Sequence, residues 1–223
     1  MRSAGPPPAR AKTGAPRHGG RPSRVAAAQL GETILGAATE LFLSEGYGVT
    51  SIESIARRAG VSKRTFYARY RDKAALFAAV VRRVVDRLRP SGEVSLYDGG
   101  TLDEVLTRLA HYVLHAALTP DALALHRIIL AEASRFPELA AVVTEQGGSR
   151  EAIGHIAALL DRSLTPPPAN APFAAAQFLQ MIVALPQRRA QGLGTKMTEA
   201  ELDSWARDTV ALFLNGVRNA PRG

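Results

Sequence analysis

Apolar side chains return at three- and four-residue intervals from Ala26 almost to the end of the chain, and no convincing stretch alternates in the manner of a half-buried strand. That period predicts an all-α fold. Leu30, Ile34 and Leu41, with Leu35, Ala38 and Phe42 beside them, outline a first helix that Glu45-Gly46 ends. Thr50-Ser51-Ile52-Glu53 has capping-box spacing, so Thr50 is expected to cap a short second helix running to Arg58, with Glu53 reaching back. Ser62 is expected to cap a third helix to about Ala68, and Asp72 a long fourth one that Pro90 stops after Arg89. After a break at 91–100, further helices are predicted over about 101–118, 121–135, 137–147, 149–163, 170–191 and 199–216. Pro120, Pro137, the run from Pro166 to Pro168, Gly192 and Gly194 punctuate that series.

The second and third helices are short, and Ala59-Gly60-Val61 joins them in a tight turn, which is helix-turn-helix spacing. Ile52, Ile55, Ala56, Val61 and Phe66 supply the inner faces, leaving Lys63, Arg64 and Tyr67 outward. Lysine and arginine donate to guanine acceptors in a major groove, while threonine, tyrosine and further cations bind phosphates. A helix-turn-helix that never meets DNA is the plainer alternative.

Charge is unevenly distributed along the 223 residues: 1–75 carry 13 Lys/Arg against 5 Asp/Glu, and 76–223 carry 15 against 15. A basic head on a neutral body is the distribution a polyanion-binding protein needs. Residues 1–24 supply six of those cations among Pro and Gly and are expected to be a disordered basic arm, adding phosphate contacts or merely solvated. No apolar run approaches the roughly 20 residues that span a bilayer and no secretory signal opens the chain, so a cytoplasmic protein without a membrane partner is expected. Cysteine is absent, which removes disulfides, thiolate nucleophiles and cysteine-ligated zinc.

Residues 34–81 resemble the DNA-binding segment of the TetR family of bacterial transcriptional regulators. The likeness rests on Ala-x-x-Leu-Phe-x-x-x-Gly-Tyr from Ala38, Thr-Ser-x-x-x-Ile-Ala from Thr50, Ala-Gly-Val-Ser from Ala59, Thr-Phe-Tyr from Thr65 and Lys-x-x-Leu from Lys73. The resemblance implies that Thr50 and Ser51 approach phosphate, that Lys63, Arg64 and Thr65 face base edges and adjacent backbone, and that Tyr67 and Lys73 bind phosphates. Tyr70 stands where the family has an aromatic that packs or touches the backbone. Ala68, small where a larger aromatic or histidine is common, and the basic Arg69, counted with the DNA-binding set, depart from the pattern.

Residues 127–140, 177–189 and 201–216 resemble the effector and dimerisation domain of the AefR-like branch. Composition and the two resemblances together divide the chain into four expected parts: the arm at 1–24, the DNA-binding domain at 25–72, a connecting helix at 73–90 and an effector-binding, dimerising body at 91–218. Tyr112, His115, His126, Ile129, Glu132 and Phe136 are the candidate effector-pocket residues, with core packing or surface exposure as the alternative for each. Phe173, Phe178, Met181, Ile182 and Leu185, with Leu202, Trp205, Leu212 and Phe213, form two apolar stripes that a two-fold mate or the internal core can take up, and of these Phe178, Met181, Ile182, Leu185, Trp205, Leu212 and Phe213 are the candidate dimer contacts. His111 and His115 have zinc-compatible spacing, but no further ligand motif accompanies them and no metal or cofactor is expected. With no phosphate-cradling loop or nucleophile elbow, the chain is read as a non-enzyme. The expected function is a ligand-responsive homodimeric repressor released from a double-stranded palindromic operator by a small-molecule effector. An activator or nucleoid-type binder, a small-molecule-binding helical enzyme with a vestigial helix-turn-helix and a helical interaction module are the alternatives.

Overall fold

The computed structural model describes residues 24–88, 96–97, 99–146 and 148–218, and among them every regular element is an α-helix. The order is α1 (Arg24–Glu45), α2 (Ile52–Arg58), α3 (Lys63–Tyr67), α4 (Lys73–Leu88), α5 (Leu102–Ala117), α6 (Pro120–Glu132), α7 (Pro137–Gln146), α8 (Ser149–Ser163), α9 (Ala171–Ala190) and α10 (Glu199–Arg218). The expected basic arm lies outside the described residues, except for Arg24 at the head of α1.

Local chemistry sets most of the helix starts. The Thr101 hydroxyl accepts from the Glu104 N–H while the Glu104 carboxylate accepts from the Thr101 N–H, a reciprocal cap for α5. Thr119 caps α6 with Pro120 in its first turn, where a missing N–H costs nothing. The Asn170 side chain accepts from the Phe173 N–H at the start of α9.

Two expectations need correcting. Thr50 does not cap α2: the N-cap is Ser51, whose box partner is Ser54 rather than Glu53. The Thr50 hydroxyl instead turns back to donate to the Gly46 carbonyl at 2.7 Å. Helix α6 ends at Glu132, three residues early. Pro137 disfavours helical backbone at Phe136, and the chain turns there with the Arg135 and Phe136 N–H groups both donating to the Glu132 carbonyl.

The apolar stripes close two cores. One takes Leu106, Leu109 and Leu114 of α5, Ile156 and Leu160 of α8, Phe178 and Ile182 of α9, and Val210, Phe213 and Leu214 of α10. The other takes Ile34 and Phe42 of α1, Ile55 of α2, Phe66 of α3 and Leu76, Phe77, Val80 and Val81 of α4, and is completed by Ile128 of α6 and Leu139 of α7. Helix α4 accordingly packs against α1, α6 and α7, whereas α5 packs chiefly against α9 and α10. Helices α5 and α6 meet at 73°, which carries the chain from one core to the other. No single helix among the described residues is long and apolar enough to cross a membrane.

Candidate nucleic-acid interface

The head is anchored from inside. Ile55 and Ala56 on α2 and Phe66 on α3 are buried, so the opposite sides of both short helices are left to solvent. Gly60 at φ +66° makes the turn between them in a conformation that a side chain strains, and the Val61 N–H closes it on the Ala56 carbonyl at 2.9 Å. Ser62 then caps α3 by accepting from the Thr65 N–H at 3.1 Å, and the Thr65 hydroxyl lies 2.9 Å from the Ser62 hydroxyl. A five-residue helix relies on such a cap, because most of its N–H groups have no partner within the helix.

Lys63, Arg64 and Tyr67 are exposed on α3, with the Tyr67 ring set edge-on against Phe66. Lys63 pairs with Glu53 of α2. The hydrogen bond between them draws the Glu53 carboxyl below its ordinary range and raises the Lys63 ammonium. Arg57 and Arg64 carry no ion pair among the described residues, and Arg58 pairs with Glu40. The face therefore holds cations in two conditions: Arg64 and Arg57 open to an incoming anion, Lys63 already held by the Glu53 carboxylate.

The remaining residues of the expected set are placed differently. Thr50 is 1% exposed, with its hydroxyl committed to backbone. Ser51 is exposed, but its hydroxyl is the α2 cap. Lys73 turns inward, donating to the Tyr47 carbonyl at 2.9 Å and the Thr50 carbonyl at 3.1 Å while lying 4.2 Å over the Tyr47 ring. Burial lowers its pKa. Arg69 is exposed and bonds the Ala27 carbonyl of α1, and Tyr70 packs half-buried against Phe66.

Residues 34–80 match a family profile described as bacterial regulatory proteins of the TetR family, and residues 104–216, about half the chain, match the C-terminal domain of AefR-like transcriptional repressors. The chain belongs to the TetR family. The flavonoid-responsive regulator FrrA is 31% identical, with 87% of this chain matched to all of its own and a TM-score of 0.71. A TetR-family transcriptional regulator from Mesorhizobium loti is 30% identical, covering 87% of this chain and 98% of its own at a TM-score of 0.70. The transcriptional activator FasR of Mycolicibacterium smegmatis is 44% identical over 55 residues, a quarter of either chain.

Among the described residues, the six pocket candidates of this TetR-family chain have different surroundings. His115 lines a cavity of about 230 Å³ with Leu118, Thr119, Pro186, Met197 and Leu202. The Gln191 amide N–H donates to His126 Nδ1 at 2.7 Å, and burial holds the imidazole below its usual pKa. The Tyr112 hydroxyl bonds the Leu88 carbonyl. Ile129, Glu132 and Phe136 face the other way, toward the head, where Ile129 packs on its core and Glu132 and Phe136 meet Tyr47 and Gly48. His111 lies 3.3 Å from Asp203, and no metal-holding group of three or more ligands occurs among the described residues.

Of the residues expected at a two-fold contact, Phe178, Ile182 and Phe213 are consumed inside the protomer, with the Phe178 and Phe213 rings 5.0 Å apart. Met181 and Trp205 pack partly on the same core, and the Trp205 indole N–H donates to the Ile182 carbonyl at 2.9 Å. Leu185 is half-buried, whereas Leu212 is 66% exposed. Phe173, which belongs to the same apolar stripe by sequence, is exposed at the start of α9.

Proposed function

We propose that this TetR-family regulator is a ligand-responsive repressor that binds a palindromic operator as a homodimer in the cytoplasm and releases it when a small-molecule effector is bound. The observation that carries the DNA reading is the exposed Lys63-Arg64-Tyr67 edge of a Ser62-capped helix, held rigid from behind by Phe66. Arg64 and Lys63 read base edges, while Tyr67, Ser51 and Arg57 bear on phosphates. One such head meets only a few base pairs, so two are needed, set about 34–36 Å apart to enter successive major grooves. The exposed outer sides of α9 and α10, with Leu212 and Phe173, form the two-fold face.

Repression is favoured by the likeness of residues 104–216 to AefR-like repressors, and a small-molecule signal by the flavonoid-responsive FrrA. The head's likeness to the activator FasR supports activation as the second reading, because a shared head fixes where a regulator binds and not its effect there. Genome-wide mapping of bound DNA followed by binding to the recovered promoter at several salt concentrations tests both. A specific site whose affinity falls steeply with salt, and whose gene rises when the protein is deleted, is the expected result. A gene that falls instead makes the protein an activator, and binding with no salt slope refutes the DNA reading.

A further inference from the structure

The last residue of α6 reaches into the head. Both Glu132 carboxylate oxygens accept backbone N–H groups from the loop between α1 and α2, that of Tyr47 at 2.9 Å and that of Gly48 at 2.5 Å. The loop leaves room for it. A Cβ at Gly46 would stand 2.8 Å from one carboxylate oxygen, and a Cβ at Gly48 would stand 2.6 Å from the other. Around this contact the head and body interlock: the Phe136 ring is 5.2 Å from the Tyr47 ring, the Tyr47 hydroxyl donates to Glu138 at 3.3 Å, and Lys73 ties the Tyr47 and Thr50 carbonyls.

We infer that Glu132 is a positioning residue, a carboxylate latch through which α6 sets and holds the angle of the DNA-binding head. An ionised acceptor facing two N–H groups is directional and stronger than a neutral hydrogen bond, so the loop cannot rotate beneath it without losing both. Helix α6 is a rigid rod of about 20 Å at 1.5 Å per residue. Its N-cap, Thr119, lines the 230 Å³ cavity beside His115, and its other end is the latch. A push at the cavity end therefore reaches the head as a displacement of the peptide N–H groups of Tyr47 and Gly48. This inference rests on the regulator reading for its purpose, though the latch itself is tested without DNA.

The chain contains no cysteine, so nitroxides at Arg71→Cys on the head and Arg150→Cys on α8 report the head-to-body distance at two chosen points in the full-length protein. Pulsed electron–electron resonance is expected to give a narrow distance distribution for the parent and one at least twice as wide for Glu132→Gln. Exchange of the amide protons in the 46–50 loop should quicken about tenfold, with helicity unchanged. Should Glu132→Gln fail to fold, Gly48→Ala displaces the same carboxylate by its Cβ and must show the same broadening. An unchanged width and exchange rate in whichever variant folds overturns the latch. Unlabelled parent and variant are then compared on a duplex selected from a random pool by the parent protein. A three- to tenfold weaker variant supports the latch as the setter of the head, and equal affinity refutes that role. A parent that selects no duplex refutes the regulator reading and leaves the spectroscopic result standing.

Discussion

Leu212→Glu should split the proposed dimer and leave the protomer folded, and the structure allows the size of the effect to be worked out. Leu212 is 66% exposed on α10, directly before two residues that are not: Phe213 is 5% and Leu214 1% exposed. Burying a whole leucine side chain contributes about 1.5–3 kcal/mol, so covering the exposed two-thirds contributes about 1–2 kcal/mol per protomer. A two-fold contact counts it twice, giving about 2–4 kcal/mol, a weakening of the dimer by about 30- to 700-fold at roughly 1.4 kcal/mol per decade. An unpaired carboxylate in that contact adds a desolvation cost, so the figure is a floor. The protomer has little to lose at an exposed position, about 0.5 kcal/mol or less. Phe178→Ala is the contrast: the ring is fully buried against Phe213, and its removal should cost about 3–5 kcal/mol of stability wherever the dimer contact lies. Sedimentation velocity over a dilution series, with circular dichroism and urea unfolding on the same samples, reads both quantities. A Leu212→Glu protein that stays dimeric at the parent's dilution limit refutes the α9–α10 face. A helical monomer that keeps full promoter affinity refutes the two-headed reading of DNA.

Lys63→Ala and Arg64→Ala should each weaken binding to the mapped promoter by about 1–3 kcal/mol and relax specificity there; fluorescence anisotropy on matched and altered duplexes measures this, and parent-like binding by both removes α3 as the reading helix. Ser62→Ala should lower stability by about 1 kcal/mol through loss of the α3 cap, and a urea midpoint equal to the parent's would show that the cap contributes nothing. Burial holds the His126 pKa below the unfolded value of about 6.5, so as pH falls through that value the unfolded chain takes up a proton the folded one resists and stability declines. Protonation also removes the acceptor that the Gln191 amide uses. His126→Gln should flatten the decline in urea midpoint between pH 7.5 and 5.5, and parallel profiles for the two proteins would assign it to other groups.

The helices were legible because their punctuation is local: threonine, serine and asparagine caps, Pro120, Pro137 and the glycines act within one turn of the chain. The reading head was legible for the same reason, since its buried anchors and exposed cations lie within two short helices. Facing was harder. Glu132 and Phe136 belong to an apolar helix stripe with a polar end, which is equally what a pocket wall looks like, and only the sharp turn before Pro137 points them at Tyr47. Phe178 and Leu212 pose the same problem, because a stripe wide enough for two neighbours does not reveal which neighbour is within the protomer. Thr50 and Ser51 are both plausible caps in sequence. The hydroxyl that finds the Gly46 carbonyl is lost to capping, and that choice depends on how α1 ends.

The way Ile128 and Leu139 finish the core begun by Phe42, Phe66 and Phe77 bears on how such proteins recombine. A chimera joined in the linker after α4 would give a transplanted head the α6 and α7 of its host, and with them a foreign set of side chains against Leu76, Phe77 and Val80. The operator-reading part of this chain is therefore not an exchangeable cartridge. A graft that keeps its fold has to carry residues 125–143 along with the first four helices, and lineages that trade heads by shuffling gene segments at that linker should show compensating changes in those two helices.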